Sequence, residues 1–185
     1  MEECEFILID VGATFHGYSS DITRTFLPKR TVLDECEVSG NYSLQELWTT
    51  VYEAQSAAIE EMRVGRNCSE VDLAARAVIE DAGLGKYFNH RLGHGLGIEG
   101  HERYFYPVSD QAYGRPYLNK GNTEIRLRAG NVFTAEPGML PLCDELMIGV
   151  YIEGIAGVRL EDVVLVTEDA PELLSGQRAK DWFNP

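Results

Sequence analysis

Four acids and one histidine in this chain stand where packing alone is a poor explanation: Asp10, Asp21, Glu136, Glu161 and His94. Asp10 closes the apolar run Phe6-Ile7-Leu8-Ile9, and Asp21 opens a second run eleven residues later. Glu136 follows Phe133-Thr134-Ala135, and Glu161 follows Val158-Arg159-Leu160. A carboxylate set into an apolar strand is costly to bury unless something positive meets it. Taken singly, each acid has a plainer reading. Asp10 can cap a turn or pair with Arg24, and an acid in a strand usually faces solvent. Four together are better explained by shared cations.

Three of the four histidines, His90, His94 and His101, fall in one twelve-residue window that also holds Gly93, Gly95, Gly97 and Gly100. Glycine weakens regular structure and lets backbone approach a ligand closely, so packing is a poor account of this window. It contains no H-E-x-x-H, no dinucleotide-loop glycine spacing and no Gly-Lys-Ser/Thr. The fourth, His16, lies in the turn between the acidic strands and is as readily solvated as functional. Carboxylate oxygens suit Mn²⁺ or Mg²⁺, and one imidazole shifts the preference toward Mn²⁺, Co²⁺, Fe²⁺ or Zn²⁺. Two such ions about 3.5–4 Å apart hold a bridging hydroxide at neutral pH and polarise the carbonyl it attacks, which is hydrolytic chemistry.

The elements that must position these residues follow from periodicity and turn chemistry. Residues 6–10 and 21–27 read as strands joined through Gly17-Tyr18-Ser19-Ser20, a hairpin. Leu44, Leu47, Trp48, Val51, Ala54, Ala58, Ile59 and Met62 recur at helical spacing, with Ser43 and Glu46 as a capping box and Gly65 at the end. A second helix runs from a cap at Ser69, with Asp72 as its partner, to Gly83, burying Val71, Ala74, Ala75, Val78, Ile79 and Ala82. Residues 103–128 read as loop. Strands follow at 132–135, around 150–152 and at 158–166, and a polar tail begins near Asp169-Ala170-Pro171. The order of strand pair, helix pair and strands favours an α+β fold with a largely antiparallel sheet.

Bulk properties narrow the function classes. A chain of 185 residues suits one domain with a sizeable core. The formal net charge of −14 opposes a nucleic-acid or anionic-membrane partner, because phosphates would be repelled. Cys4, Cys36, Cys68 and Cys143 are widely spaced, which is neither a zinc pattern nor a disulfide framework, so free thiols are expected. An acidic start and no long apolar run point to a cytoplasmic protein.

The segments Ile9-Asp10-Val11-Gly12, Gly17-Tyr18-Ser19-Ser20-Asp21-Ile22-Thr23-Arg24-Thr25-Phe26, the block from His90 to Glu102, Glu136-Pro137-Gly138 and Val158-Arg159-Leu160-Glu161-Asp162 occur in that order. As a set they resemble the pita-bread metallopeptidases, in their Xaa-Pro aminopeptidase and prolidase branch. Asp21-Ile22-Thr23-Arg24-Thr25 and the His94-to-His101 spacing favour that branch over methionine aminopeptidase.

The resemblance implies two divalent ions, Mn²⁺ first, with Co²⁺, Fe²⁺ or Zn²⁺ as substitutes. Asp10 would chelate one ion, His94 and Glu136 the other, and Asp21 and Glu161 would bridge them. Glu136 would also be the general base, His90 and His101 would line the substrate pocket and steady the carbonyl or tetrahedral intermediate, and Arg159 would orient Glu161 and its neighbours. The implied substrates are peptides with proline in second position, cut after the N-terminal residue. The competing classes are an inactive fragment and a peptide- or protein-binding module, but such modules typically lose metal ligands and all five are present here.

The sequence also departs from that family pattern. Relatives carry a long segment before the first metal aspartate, whereas Asp10 here follows Met1 by nine residues. The expectation is therefore a partial catalytic domain, from a truncated or imperfectly predicted gene product, with the first half of the fold largely missing. It would comprise ligand strands 6–27, a helix pair 43–83, a His/Glu ligand half 90–167 and a tail 168–185. The exposed sheet edge and apolar face would call for cover, and a homodimer is one way to supply it. Residues 103–115 and 140–148 read as insertions, and Gly100 replaces a β-branched residue, loosening His101.

Overall fold

The two acidic strands do pair. In the computed structural model, which describes residues 6–27, 42–102, 117–139 and 157–181, β1 (Ile7–Val11) leads into a small ribbon of β2 (Thr14–Phe15) and β3 (Tyr18–Ser19). The chain then returns as β4 (Ile22–Phe26), antiparallel to β1, with Asp10 opposite Thr23. The reversal sits at His16-Gly17, with φ of 50° and 86°, rather than over residues 17–20. Two-residue turns with both φ positive match strand twist, which leaves Tyr18 and Ser19 free to pair with Phe15 and Thr14.

Helix α1 (Leu44–Glu61) has the capping box read from sequence: Ser43 Oγ accepts from Glu46 N, and Glu46 accepts from Ser43 N. Helix α2 (Cys68–Asp81) does not begin as expected. Its cap is Asn67, whose Oδ1 accepts from Glu70 N at 2.9 Å while Glu70 Oε2 accepts from Asn67 N at 2.8 Å. Asp72 is instead fully buried against Arg76, one turn along. Buried against Arg76, Asp72 is not available to cap the helix, and Asn67 with Glu70, two residues earlier at the same spacing, does so.

After a 3₁₀ turn at Gly85–Tyr87, β5 (Gly93–His94) pairs with β6 (Tyr117–Leu118). Part of the stretch read as loop is thus strand, anchored by buried Leu118. The strands β7 (Val132–Ala135), β8 (Gly138–Met139), β9 (Val158–Arg159), β10 (Asp162–Leu165) and β11 (Glu172–Leu173) complete the described elements. The single strand expected over 158–166 is two, because Glu161 breaks away to bridge Thr23 of β4. β11 comes from the tail and joins β10. All described pairings are antiparallel, so the chain is α+β as read. The strand expected around 150–152 and the two insertions, 103–115 and 140–148, lie outside the described residues.

The core lies between the helix pair and the sheet. Leu44, Leu47, Trp48, Val51, Ala54 and Ala58 of α1 are buried with Val71, Ala75 and Ile79 of α2. Trp48 Nε1 donates to Thr25 O at 2.8 Å, and Gln55 Nε2 donates to Ala135 O at 3.1 Å, so α1 is tied to β4 and β7 at once. Among the described residues, nothing packs on the other side of β1 and its ribbon. Ile9, Val11, Phe15 and Tyr18 are exposed, the apolar face the sequence led us to expect. Cys68 is a buried free thiol; Cys4, Cys36 and Cys143 lie outside the described residues. Among the described residues no helix is long and apolar enough to cross a membrane.

Candidate metal centre

The five expected ligands converge from five places along the chain. Asp10 lies on β1, and Asp21 in the step just before β4. His94 ends β5, Glu136 follows β7, and Glu161 sits between β9 and β10. Ligand atoms of Asp21, His94 and Glu161 all lie within 4.8 Å of one another. His94 Nε2 is 3.4 Å from Glu136 Oε1 and 3.6 Å from Asp21 Oδ2. Asp10 meets the group through its carboxyl contact with Asp21. His94, Glu136 and Glu161 are buried, whereas Asp10 is exposed.

One arginine and one threonine organise the acids. Arg159, 1% exposed, pairs through Nη2 with Asp10 and donates from Nε and Nη2 to Thr23 Oγ1 at 3.1 and 3.0 Å. Thr23 Oγ1 in turn donates to Glu161 Oε2 at 2.6 Å, and Glu161 N donates to Thr23 O at 3.0 Å. Arg159 therefore touches Asp10 directly and reaches Glu161 through Thr23. Arg24, offered by the sequence as a partner for Asp10, pairs with Asp162 at 2.7 Å and donates to Glu161 O at 2.6 Å. Asp10 and Thr23 are opposed in register, and Arg24 is the next residue along β4, so its side chain leaves by the other face of the sheet.

The electrostatics ask for cations. Burial, reinforced by Asp10, raises the Asp21 carboxyl to about 6. Glu136 and Glu161 are likewise pushed up, first by burial and, for Glu161, then by the negative charges of Glu136 and Asp21. Burial also pushes His94 down to about 4, so the imidazole is neutral at pH 7 and its short contacts are not ion pairs. Its Nδ1 donates to Gly95 O at 3.1 Å, which leaves the Nε2 lone pair facing the oxygens of Glu136 and Asp21. Acceptors facing acceptors repel unless a proton or a metal cation lies between them. Four carboxylates, with Arg159 paired to Asp10 and Arg91 also acting on Glu136, and an unprotonated imidazole nitrogen among them, fit divalent ions.

The segment carrying the histidines is clamped from α2. Asp72 Oδ1 accepts from Leu92 N at 3.1 Å, while Arg76, paired with Asp72, donates to Phe88 O at 2.7 Å and His90 O at 2.6 Å. His94 N donates to Thr134 Oγ1 at 3.0 Å. A Cβ on Gly93 would collide with the Thr134 carbonyl, so only glycine lets β5 approach β7 this closely. Gly93→Ala is expected to cost about 1–3 kcal/mol, the usual range for overpacking, and to weaken Mn²⁺ binding by displacing His94. A thermal melt paired with a Mn²⁺ titration reads both.

The remaining expected residues also lie on this side of the molecule. The His101 ring is 3.9 Å from the His94 ring, centroid to centroid, and its Nε2 accepts from Arg91 Nη2 at 3.0 Å. His90 Nδ1 donates to Arg91 O at 2.6 Å, and among the described residues its buried Nε2 has no hydrogen-bond partner. Burial pushes His90 down to about 4, so it is neutral. His16 is exposed in its turn. Sequence reasoning missed Thr23, Thr134, Arg91 and the Asp72–Arg76 clamp. Thr23 and Arg91 stood inside quoted motifs, but nothing in their spacing said what they would touch.

Comparison with known proteins resolves the lineage. Residues 1–168 match metallopeptidase family M24. The chain belongs to that family. An uncharacterized peptidase of Schizosaccharomyces pombe is 43% identical over 187 residues, covering 100% of this chain and 35% of its own length. A Pyrococcus horikoshii Xaa-Pro dipeptidase is 36% identical over 175 residues, covering 95% of this chain and 40% of the relative. Among solved structures, prolidase from Pyrococcus furiosus superposes with a TM-score of 0.73 at 34% identity, covering 96% of this chain and 43% of that one. This M24 chain thus has the pita-bread fold and spans 35–43% of the length of these relatives.

Proposed function

We propose that this M24 chain holds two divalent metal ions and hydrolyses the bond between an N-terminal residue and a following proline. The observation that carries the reading is the meeting of Asp21, His94, Glu136 and Glu161 around one buried spot, with Asp10 held at its edge by Arg159. Asp10, Asp21, His94, Glu136 and Glu161 would hold the ions, of which Mn²⁺ best suits four carboxylates and one imidazole. When bound, such ions supply a nucleophile from water at neutral pH and polarise the scissile carbonyl.

The chain's own groups do the rest. Glu136, whose Oε1 accepts from Thr134 Oγ1 at 3.3 Å, takes the proton from the attacking water. Arg159 and Thr23 keep Asp10 and Glu161 aimed at the centre. The His90–Arg91–His101 side receives the substrate. Proline specificity is supported by relatives that are themselves named Xaa-Pro dipeptidase and prolidase.

The test is direct. The purified chain with Mn²⁺ is given an Xaa-Pro dipeptide and an Xaa-Pro-Yaa tripeptide, alongside Asp21→Ala. Cleavage by wild type, its loss in Asp21→Ala and its loss on chelation are expected. Tight Mn²⁺ binding without cleavage would instead make this an inactive metal-binding fragment, and no Mn²⁺ binding would remove the metal centre altogether.

A further inference from the structure

Helix α1 buries an amide on an otherwise apolar face. Gln55 is 1% exposed, and its Nε2 donates to Ala135 O and to Asp162 Oδ2, each at 3.1 Å. Ala135 and Asp162 stand opposite each other in the register of β7 against β10. Glu136 is the residue after Ala135, and Glu161 is the residue before Asp162. One NH2 group therefore staples the two strands at the step from which two of the ligand acids leave. Arg24 adds a second tie at the same place, donating from Nη1 to Glu161 O at 2.6 Å and from Nη2 to Asp162 Oδ1 at 2.7 Å.

Stability alone does not call for an amide here. A buried hydrogen-bonded group contributes little net, and apolar groups of the same shape can serve nearly as well. What an amide adds is direction, and that direction is set from the tail. Arg178 donates to Gln55 Oε1 from Nη2 at 2.9 Å and from Nε at 3.2 Å. Its Nη1 donates to Ser56 Oγ at 3.0 Å, and its guanidinium lies over the Tyr52 ring, 4.2 Å from the centroid. Arginine has donors only, so it admits the oxygen end of Gln55 and turns the NH2 toward Ala135 O and Asp162. Ser175, also from the tail, donates from Oγ to Asp162 Oδ1 at 2.6 Å. Both tail residues lie beyond residues 1–168, the stretch matched to the family.

We propose that Gln55, oriented by Arg178, is a positioning residue for the metal centre: it fixes the backbone from which Glu136 and Glu161 reach the ions, and it makes the tail a working part of that centre. The inference rests on the metal-centre reading above and is read by Mn²⁺ affinity rather than by turnover. Calorimetric Mn²⁺ titration of the full chain is run beside a thermal melt. Arg178→Met keeps an aliphatic stem over Tyr52 and removes the donors, and should weaken Mn²⁺ binding about 10-fold, the low end for partners of metal ligands. Arg178→Lys, which keeps a donor for Gln55 Oε1, should recover part of that loss. Gln55→Met should lose at least as much. Adding Arg178→Met to it should cost no further affinity, because Arg178 acts through Gln55. Ile59→Val, which trims a partly buried side chain of the same helix outside this network, should lower the melting temperature and leave Mn²⁺ affinity unchanged.

Wild-type Mn²⁺ affinity in Arg178→Met overturns the proposal and leaves the metal centre standing. So does a fall in affinity in Ile59→Val that matches the fall in Arg178→Met, which would reduce the network to general stability. Additive losses in the double variant would show that Arg178 does not act through Gln55, and they overturn it too. If Gln55→Met fails to fold, the two Arg178 variants and Ile59→Val decide alone. No Mn²⁺ binding by wild type removes the metal centre and the proposal together.

Discussion

Glu161→Gln is expected to abolish metal-dependent hydrolysis while leaving the fold intact. Glu161 is 1% exposed, and its Oε2 accepts the Thr23 hydroxyl at 2.6 Å. A glutamine carbonyl can accept the same hydrogen bond in the same volume, and the backbone bond from Glu161 N to Thr23 O is untouched. What disappears is a negative charge shared by the proposed ions. Outer partners of metal ligands already cost about 10- to 100-fold when removed, so loss of a ligand should exceed that in Mn²⁺ affinity and in rate. Calorimetric Mn²⁺ titration, hydrolysis and a thermal melt are the measurements. A variant that binds two ions with wild-type affinity would show that Glu161 is not a ligand.

The second large effect is on stability and has a definite sign with pH. In the metal-free chain Asp21, raised to about 6, and Glu136 and Glu161, both raised, prefer to stay protonated in the folded state. Unfolded carboxylates ionise near pH 4, so between that value and the folded pKa values the unfolded chain binds fewer protons. The metal-free protein therefore loses stability as pH rises from about 4, Asp21 contributing up to about 6 and Glu136 and Glu161 beyond it. Divalent ions reverse this by accepting the ionised forms. At a thousandfold excess over Kd they should stabilise the fold by about 4 kcal/mol, equivalent to roughly 8–16 °C for a domain of this size. The increment should be larger at pH 8 than at pH 6. Melting curves with Mn²⁺ and with chelator at both pH values decide it, and an increment that shrinks with pH would show that these acids do not bind the ions.

Much of this protein is legible residue by residue because the relevant physics is local. The Ser43–Glu46 capping box spans one helical turn, and the apolar spacing from Leu44 to Ala58 repeats every turn. The β1–β4 pairing follows from an apolar run, a β-branched and alternating segment and the turn between them, all visible in adjacent residues. The five candidate ligands stood out for a related reason. A carboxylate in an apolar run is anomalous wherever it points, and four of them with a glycine-flanked histidine called for cations before any contact was known.

What the tertiary structure decided is which groups meet. Arg159 and Asp10 are 149 residues apart, and Thr23 and Glu161 are 138 apart, so no periodicity links them. Arg24 could have paired with Asp10 until the strand register sent it to Asp162 instead. Asp72 could have capped α2 until burial gave it to Arg76. His90 and His101 stood out in the sequence, but not the direction of their protons, which the Arg91 carbonyl and the Arg91 guanidinium determine. Residue type and spacing thus pointed to a site for cations and to the residues proposed to compose it. The pairing of charges waited for strands distant in the chain to pack side by side.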